Sequence, residues 1–283
     1  MANCVVLISC PDQVGIVAAL TAFVFEHGGN IVDLQQHTDR DEAAFFQRVE
    51  FELDRFDLDR NQIEPALAPI VDRFRMRCAV RFTDVRPATA ILVSREGHCL
   101  HDLLNRGRTG DLATDVAVVV SNHPDHAEVA QWYGVPYHHV PVTEDTKAQQ
   151  EAHVTDLLSA AGVELVVLAR YMQVLSPTFV DRWPAQIINI HHSFLPAFQG
   201  AKPYHQAHKR GVKLIGVTAH YVTAELDDGP IIDQDVVRVS HRDDTDALRS
   251  RGRDLEVAAL ARAVQAHLQH RVLVYGRRTI VFD

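Results

Sequence analysis

Asn189 and His191 stand two residues apart at the end of the apolar run Ile187-Ile188-Asn189-Ile190-His191. In an extended strand that spacing points both side chains to one face and puts Ile188 and Ile190 on the other. An amide donor beside an imidazole can polarise a carbonyl and hold the charge that develops on its oxygen when a nucleophile adds. In a purely structural role the same pair would bond loop backbone and sit as satisfied core polar groups. A second cluster lies in Thr223-Ala224-Glu225-Leu226-Asp227-Asp228-Gly229-Pro230, where three carboxylates precede a Gly-Pro turn. As a solvated hairpin this loop does no chemistry. With one carboxylate turned towards His191 it would raise the imidazole pKa and offer a base for water.

Other chemistries lack their residues. There is no GxGxxG and no GxxxxGK[ST], so neither nucleotide-binding loop is expected. No HExxH and no GxSxG occurs, which argues against a zinc protease helix and a serine elbow. His138-His139 and His191-His192 are adjacent pairs, and neighbouring side chains in a strand face opposite ways, so no metal site is expected. The four cysteines, Cys4, Cys10, Cys78 and Cys99, form no CxxC pair. They point to a reducing compartment.

The elements that must position these groups divide into two parts. Residues 1–84 read as β-α-β-β-α-β, a ferredoxin-like unit. Its strands are Cys4–Cys10, Ile31–Thr38, Ala44–Leu53 and an edge strand Arg75–Phe82. Its helices are Ile16–His27, which Asp12 is placed to cap, and Leu58–Phe74. A linker with Asp84, Arg86 and Pro87 leads to a second domain, 88–283, where strands and helices alternate. Strands are expected at Ala90–Ser94, Asp115–Val120, Tyr137–Val142, Leu165–Ala169 and Gln186–Ile190. Helices are expected from His101, over Asp125–Tyr133 and over Thr146–Ala161. Near-continuous Val/Ile strands between amphipathic helices indicate a mostly parallel, Rossmann-like α/β sheet covered on both faces. Leu214–Tyr221 and Ile231–Val239 read as an antiparallel extension, followed by a helix over Asp254–His270. In such a sheet ligands bind at the carboxyl ends of the strands, where Asn189 and His191 sit.

The chain is 47% hydrophobic and 23% charged, so it can bury a core. Its 28 Lys and Arg against 37 Asp and Glu give a net charge of −9, which disfavours a nucleic-acid or anionic-membrane partner. No apolar run approaches the ~20 residues of a membrane helix. Met1–Cys4 lacks the basic start of a secretion signal, so a cytoplasmic location is expected.

Asn189-Ile190-His191-His192-Ser193-Phe194-Leu195-Pro196 resembles the Asn-x-His…Leu-Pro signature of the folate-dependent formyl transferases. Asp227-Asp228-Gly229 resembles that family's Asp-x-Gly element, and Leu168–Pro177 its folate-pocket segment. The run Ala197-Phe198-Gln199-Gly200-Ala201-Lys202-Pro203-Tyr204-His205-Gln206 is similar to the family branch that gives the formyl group to water. Asp12-Gln13-Val14-Gly15-Ile16 resembles the Asp-x-x-Gly-Ile turn of ACT domains, which have the β-α-β-β-α-β order and which that branch carries.

The resemblance implies hydrolysis of 10-formyltetrahydrofolate to tetrahydrofolate and formate, balancing one-carbon pools for purine synthesis, with no cofactor. It implies Asn189, His191 and Asp227 as the catalytic set, with Asp228 as the other carboxylate and the formal base left open between His191 and Asp227. Folate would lie against Met172, Gln173, Val174 and Leu175 on one side and Thr223, Ala224 and Leu226 on the other. Amino-acid effectors, glycine and methionine by family precedent, would bind at Asp12, Gly15, Ile16, Gly28 and Asn30, and the ACT domains would pair into a homo-oligomer. Where transferring relatives have a Gly-Ser-Asn phosphate loop this chain reads Ser94-Arg95-Glu96-Gly97-His98-Cys99-Leu100, which fits water as the acceptor. Two alternatives remain: transfer to a small amine such as glycinamide ribonucleotide, with Arg95 and His98 holding its anion, or a sensor fused to an inactive folate-binding domain. With the chain ending at Asp283, a tRNA-binding C-terminal domain is not expected.

Overall fold

Two sheets organise the chain. The computed structural model describes residues 2–196 and 203–283, so Ala197–Lys202 of the motif above lie outside the described residues. The first unit holds β1 (Asn3–Pro11), α1 (Ile16–Glu26), β2 (Asn30–Asp39), β3 (Ala44–Glu52), α2 (Arg60–Phe74) and β4 (Arg77–Phe82). Its strands run in the order β2-β3-β1-β4, antiparallel in every pairing, so Arg77–Phe82 is an edge strand as expected. Ile8, Ile16, Leu20, Phe51, Ile63 and Leu67 fill the core between sheet and helices. Asp12 does not cap α1. The N-cap is Gly15, in a left-handed conformation (φ 98°) with no side-chain bond, and the Asp12 N–H donates to the Ala43 carbonyl. A residue with a Cβ rarely adopts that φ, so the glycine itself makes the turn.

Residues 269–273 and 280–283 pack with this first unit, a return of chain that a linear division at residue 88 does not anticipate. Their anchor is Arg48, 5% exposed. It reaches Asp33 at 2.7 Å and Glu50 at 2.6 Å and donates to the carbonyls of His270 (3.2 Å) and Gln269 (3.3 Å).

The second unit spans Pro87–Leu268 and Val274–Thr279. It contains β5 (Ala88–Val93), α3 (His98–Thr109), β6 (Asp115–Ser121), α4 (Ala127–Tyr133), β7 (Tyr137–His139), α5 (Lys147–Ala160), β8 (Leu165–Ala169), α6 (Pro177–Val180), β9 (Ile187–His191), α7 (Pro203–Arg210), β10 (Leu214–Tyr221), β11 (Ile231–Arg238) and α8 (Thr245–Leu268). A hairpin, β12 (Val272–Tyr275) and β13 (Arg278–Val281), follows. The seven-stranded sheet runs β11-β10-β9-β8-β5-β6-β7. From β9 to β7 all pairings are parallel; β10 and β11 extend the sheet antiparallel, as their sequence indicates. The central strands are buried on both faces, which their unbroken Val/Ile/Leu composition requires.

Several elements differ from their sequence reading. The strand expected over Tyr137–Val142 stops at His139; Val140 still bonds Ser121, but Pro141 has no N–H to continue the ladder. Helix α8 begins at Thr245 rather than Asp254, because its first turns, rich in Arg and Asp and holding Gly252, carry no apolar stripe. The four-residue α6 and the β12–β13 hairpin are too short to show a period, and the basic α7 has too few apolar residues.

Candidate active site

The site lies where β8 and β9 end. Cross-strand register places His220 of β10 opposite Asn189 and Thr218 opposite His191, so all four residues share one face. His191, 6% exposed, points its Nδ1 at Asp227 Oδ1, 3.3 Å away. Its Nε2 is buried, with no hydrogen-bond partner among the described residues. An unpartnered buried nitrogen is costly, and here it borders a cavity of about 510 Å³ where a ligand can satisfy it.

Asp227 is in place because of the β10–β11 loop. The residue adopts a left-handed backbone (φ 55°), which turns its carboxylate back over the strand face. Gly229 makes that path possible: a Cβ there would sit 1.7 Å from the Tyr221 carbonyl oxygen, and backbone cannot give way. Asp228 points elsewhere and pairs with Arg277. The loop therefore presents one carboxylate inward, and it is Asp227. Its hydrogen bond with His191 holds the carboxyl below the usual range; burial works the other way but is outweighed.

His220, 2% exposed, was not singled out by the sequence reading. Its Nδ1 lies 2.9 Å from the Tyr221 carbonyl, which can only accept, so Nδ1 carries the proton. Burial lowers its pKa and keeps the ring neutral, so Nε2 has a lone pair. Asn189 Nδ2, 3.2 Å from that Nε2, therefore donates to it. The bond fixes which way the Asn189 amide faces. The signal available in sequence is the alternation of Thr218 and His220 in an otherwise apolar strand.

The facing wall is the segment after β8. Ser94, at the end of β5, accepts from the Met172 N–H (3.0 Å) and donates to Asn122 (2.7 Å). Gln150 and Glu151 of α5 hold Tyr171 (2.9 Å) and the Ser176 N–H (2.8 Å). Met172, Gln173, Val174 and Leu175 thus line the cavity on one side, with Met172 56% exposed; Thr223, Ala224 and Leu226 line it on the other. Apolar walls with a few convergent polar groups suit a small-molecule ligand.

The remaining expected residues lie apart. Gly15, Gly28 and Asn30 are in the first unit; Asn30 is exposed and donates to Glu52 at 3.0 Å. Asp12 is exposed, whereas Ile16 is a core side chain and could offer a ligand only backbone. Arg95 is exposed, while His98 bonds buried Glu256 at 2.7 Å. His98, Cys99 and Glu256 bring ligand-type atoms within 4.8 Å of one another. They suit a cation poorly: burial pushes the Cys99 thiol well up, and Arg170 already sits 3.4 Å from Glu256.

Family models match the chain twice: ACT domain over residues 5–70 and Formyl transferase over residues 88–264. The chain is 51% identical to the formyltetrahydrofolate deformylase of Synechocystis sp., covering 98% of this chain and 97% of that one. With the Bacillus subtilis enzyme of the same name it shares 47% identity over 98% and 93%. The crystal structure of a formyltetrahydrofolate deformylase from Pseudomonas syringae pv. tomato superposes with a TM-score of 0.98 at 47% identity, covering 100% of this chain and 95% of that one. Glycinamide ribonucleotide transformylase 1 from Symbiobacterium toebii covers only 70% of this chain and 95% of its own, at 34% identity and a TM-score of 0.66.

The lowered carboxyl pKa of Asp227 has a thermodynamic consequence. Its ionised form contributes stability that is full above the unfolded-state pKa of about 4 and is lost as pH falls through the lower folded value. Denaturant titrations of wild type and Asp227→Asn should differ most near neutrality. The gap should close below about pH 4; a gap constant across that range would contradict an ionised Asp227 bound to His191.

Proposed function

The chain belongs to the formyltetrahydrofolate deformylases, within the formyl transferase family and with an N-terminal ACT domain, and on that footing we propose that Asn189, His191 and Asp227 carry the hydrolysis of 10-formyltetrahydrofolate. The observation that supports these three residues is the wiring of His191, with Nδ1 on a carboxylate and a bare Nε2 at the cavity wall. Folate packs its pterin between the 172–175 segment and the 223–226 loop, which sets the formyl group against β9.

Water adds to the formyl carbon, and the carbonyl electron pair moves onto oxygen. Asn189 N–H and His191 Nε2–H hold that oxyanion. Asp227 Oδ1 pairs with the imidazolium at Nδ1, and Oδ2 takes the proton that water loses. When the C–N10 bond breaks, His191 gives its Nε2 proton to the departing nitrogen. Tetrahydrofolate and formate result, with one proton released. No cofactor enters this scheme. Transfer to an amine such as glycinamide ribonucleotide is the weaker reading, since the full-length relatives are deformylases and the transformylase similarity spans only part of the chain.

In the first unit, exposed Asn30 with Asp12, Gly15 and Gly28 forms the effector site for glycine and methionine, and ACT domains of two copies pair around it. An unchecked deformylase in the cytoplasm would drain formyl groups needed for purine synthesis, and a sensor on the same chain answers that need.

Formate release from 10-formyltetrahydrofolate without any acceptor should be robust in wild type. It should fall by about 10²–10⁴ in Asp227→Ala, while Asp228→Ala should stay near wild type; dependence on an added amine would move the reading to a transferase. His220 acts as a positioning residue for Asn189. His220→Ala should lower kcat by about ten- to a hundredfold, below the cost of losing an oxyanion donor outright, with KM little changed and partial rescue by His220→Gln. Glycine and methionine should each change the wild-type rate, and Asn30→Ala should blunt at least one response at an unaltered basal rate. Indifference of wild type to both amino acids would remove the effector assignment.

A further inference from the structure

Behind the reaction centre is a second cavity of about 210 Å³. It shares a wall, Arg170 and His192, with the larger one. Its far side is a stripe of α8: Arg249, Arg253 and Glu256 at i, i+4 and i+7. The gap in that stripe is Gly252, where an added Cβ would lie 1.9 Å from Tyr204 Oη. The missing side chain lets Tyr204 lie across the helix and donate to Glu256 at 2.9 Å.

Charge is uneven in this cavity. Three guanidinium groups (Arg170, Arg249, Arg253) line it against two carboxylates (Glu96, Glu256), with Arg249 also paired to Asp246 at 2.7 Å. Glu256, 1% exposed, is fully engaged by His98, Tyr204 and Arg170. Although burial opposes its charge, the His98 hydrogen bond and Arg170 hold its carboxyl below the usual range, so it stays ionised. Arg170 is only 3.4 Å from Glu256, and its buried Nε makes no hydrogen bond among the described residues. The guanidinium that lines both cavities is thus held to Glu256 by charge, with its Nε unbonded.

The volume excludes a folate, since drug-sized ligands need about 300 Å³ or more, but it admits a small planar anion. The proposed reaction creates one, formate, beside the shared wall, at a time when tetrahydrofolate still fills the larger cavity. A buried carboxylate without a partner is costly, and a guanidinium is the group that binds it with two parallel bonds. We propose that the smaller cavity is the site through which formate leaves the reaction centre, bound by Arg170 and Arg253 while tetrahydrofolate remains in place. The proposal rests on the deformylase reading above.

Titration of ¹³C-labelled formate into the full-length protein saturated with tetrahydrofolate, at ionic strength held constant with chloride, tests it through broadening of the formate resonance. Formate should bind to that complex. Arg253→Ala should weaken binding at least tenfold, and Arg253→Lys should recover part of it, with the KM for 10-formyltetrahydrofolate unchanged. Arg253 is 47% exposed and, among the described residues, pairs with Glu96 alone at 2.9 Å, so neither variant threatens the fold. Absence of formate binding once tetrahydrofolate is bound, or equal binding by Arg253→Ala and wild type, overturns the proposal. Failure of wild type to release formate would instead sink the deformylase reading, and the titration, which needs no turnover, keeps the two failures apart.

Discussion

The contact between His191 and Asp227 sets what every neighbouring group can do. A buried imidazole has two nitrogens, and a carboxylate on one of them decides the tautomer, the charge and the direction in which the other faces. Holding the carboxylate there takes a left-handed residue, a glycine that lets two backbone strands approach closely, and an arginine that draws the adjacent Asp228 away. The strand order contributes as well. Because β10 runs antiparallel to β9, His220 falls opposite Asn189 and can hold its amide, which a parallel neighbour offset by its slanted ladder would not do in the same register.

Two carboxylates of this domain are held ionised in buried or half-buried settings, and their wiring separates their roles. Glu256 has one oxygen on His98 and the other on Tyr204, with the charge of Arg170 beside it, and is saturated. Among the described residues Asp227 has one close partner, His191 on Oδ1, and it lines the cavity. A saturated carboxylate fixes its surroundings; one with a free oxygen can accept a proton. His192, between them, is pushed down to about 4 by burial and by the charge of Arg170, so it adds no positive charge beside His191.

Much of this was legible in the chain. The strands buried on both faces announce themselves by unbroken apolar runs, and the two-residue spacing of Asn189 and His191 already places them on one face. What local pattern could not show are groups whose meaning depends on residues distant in sequence. His220 reads as a stray polar residue until β9 is laid beside β10. Glu256 and Gly252 sit in a helix whose first turns look like a charged loop, because their partners Tyr204 and His98 come from elsewhere in the chain. Asp12 looked like a helix cap because residue type suggests capping, yet the turn is set by the φ of Gly15.

Arg48 carries a consequence for how the protein comes into being. Its carbonyl partners lie 221 and 222 residues further along the chain. Synthesis at about 5–20 residues per second separates the two by roughly 10–45 s. The first sheet can form its own strand pairings long before, but through that interval Arg48 has only Asp33 and Glu50 to meet its charge. The first unit thus leaves the ribosome before the second yet is completed only after it, and its final contacts report that the chain between has been made.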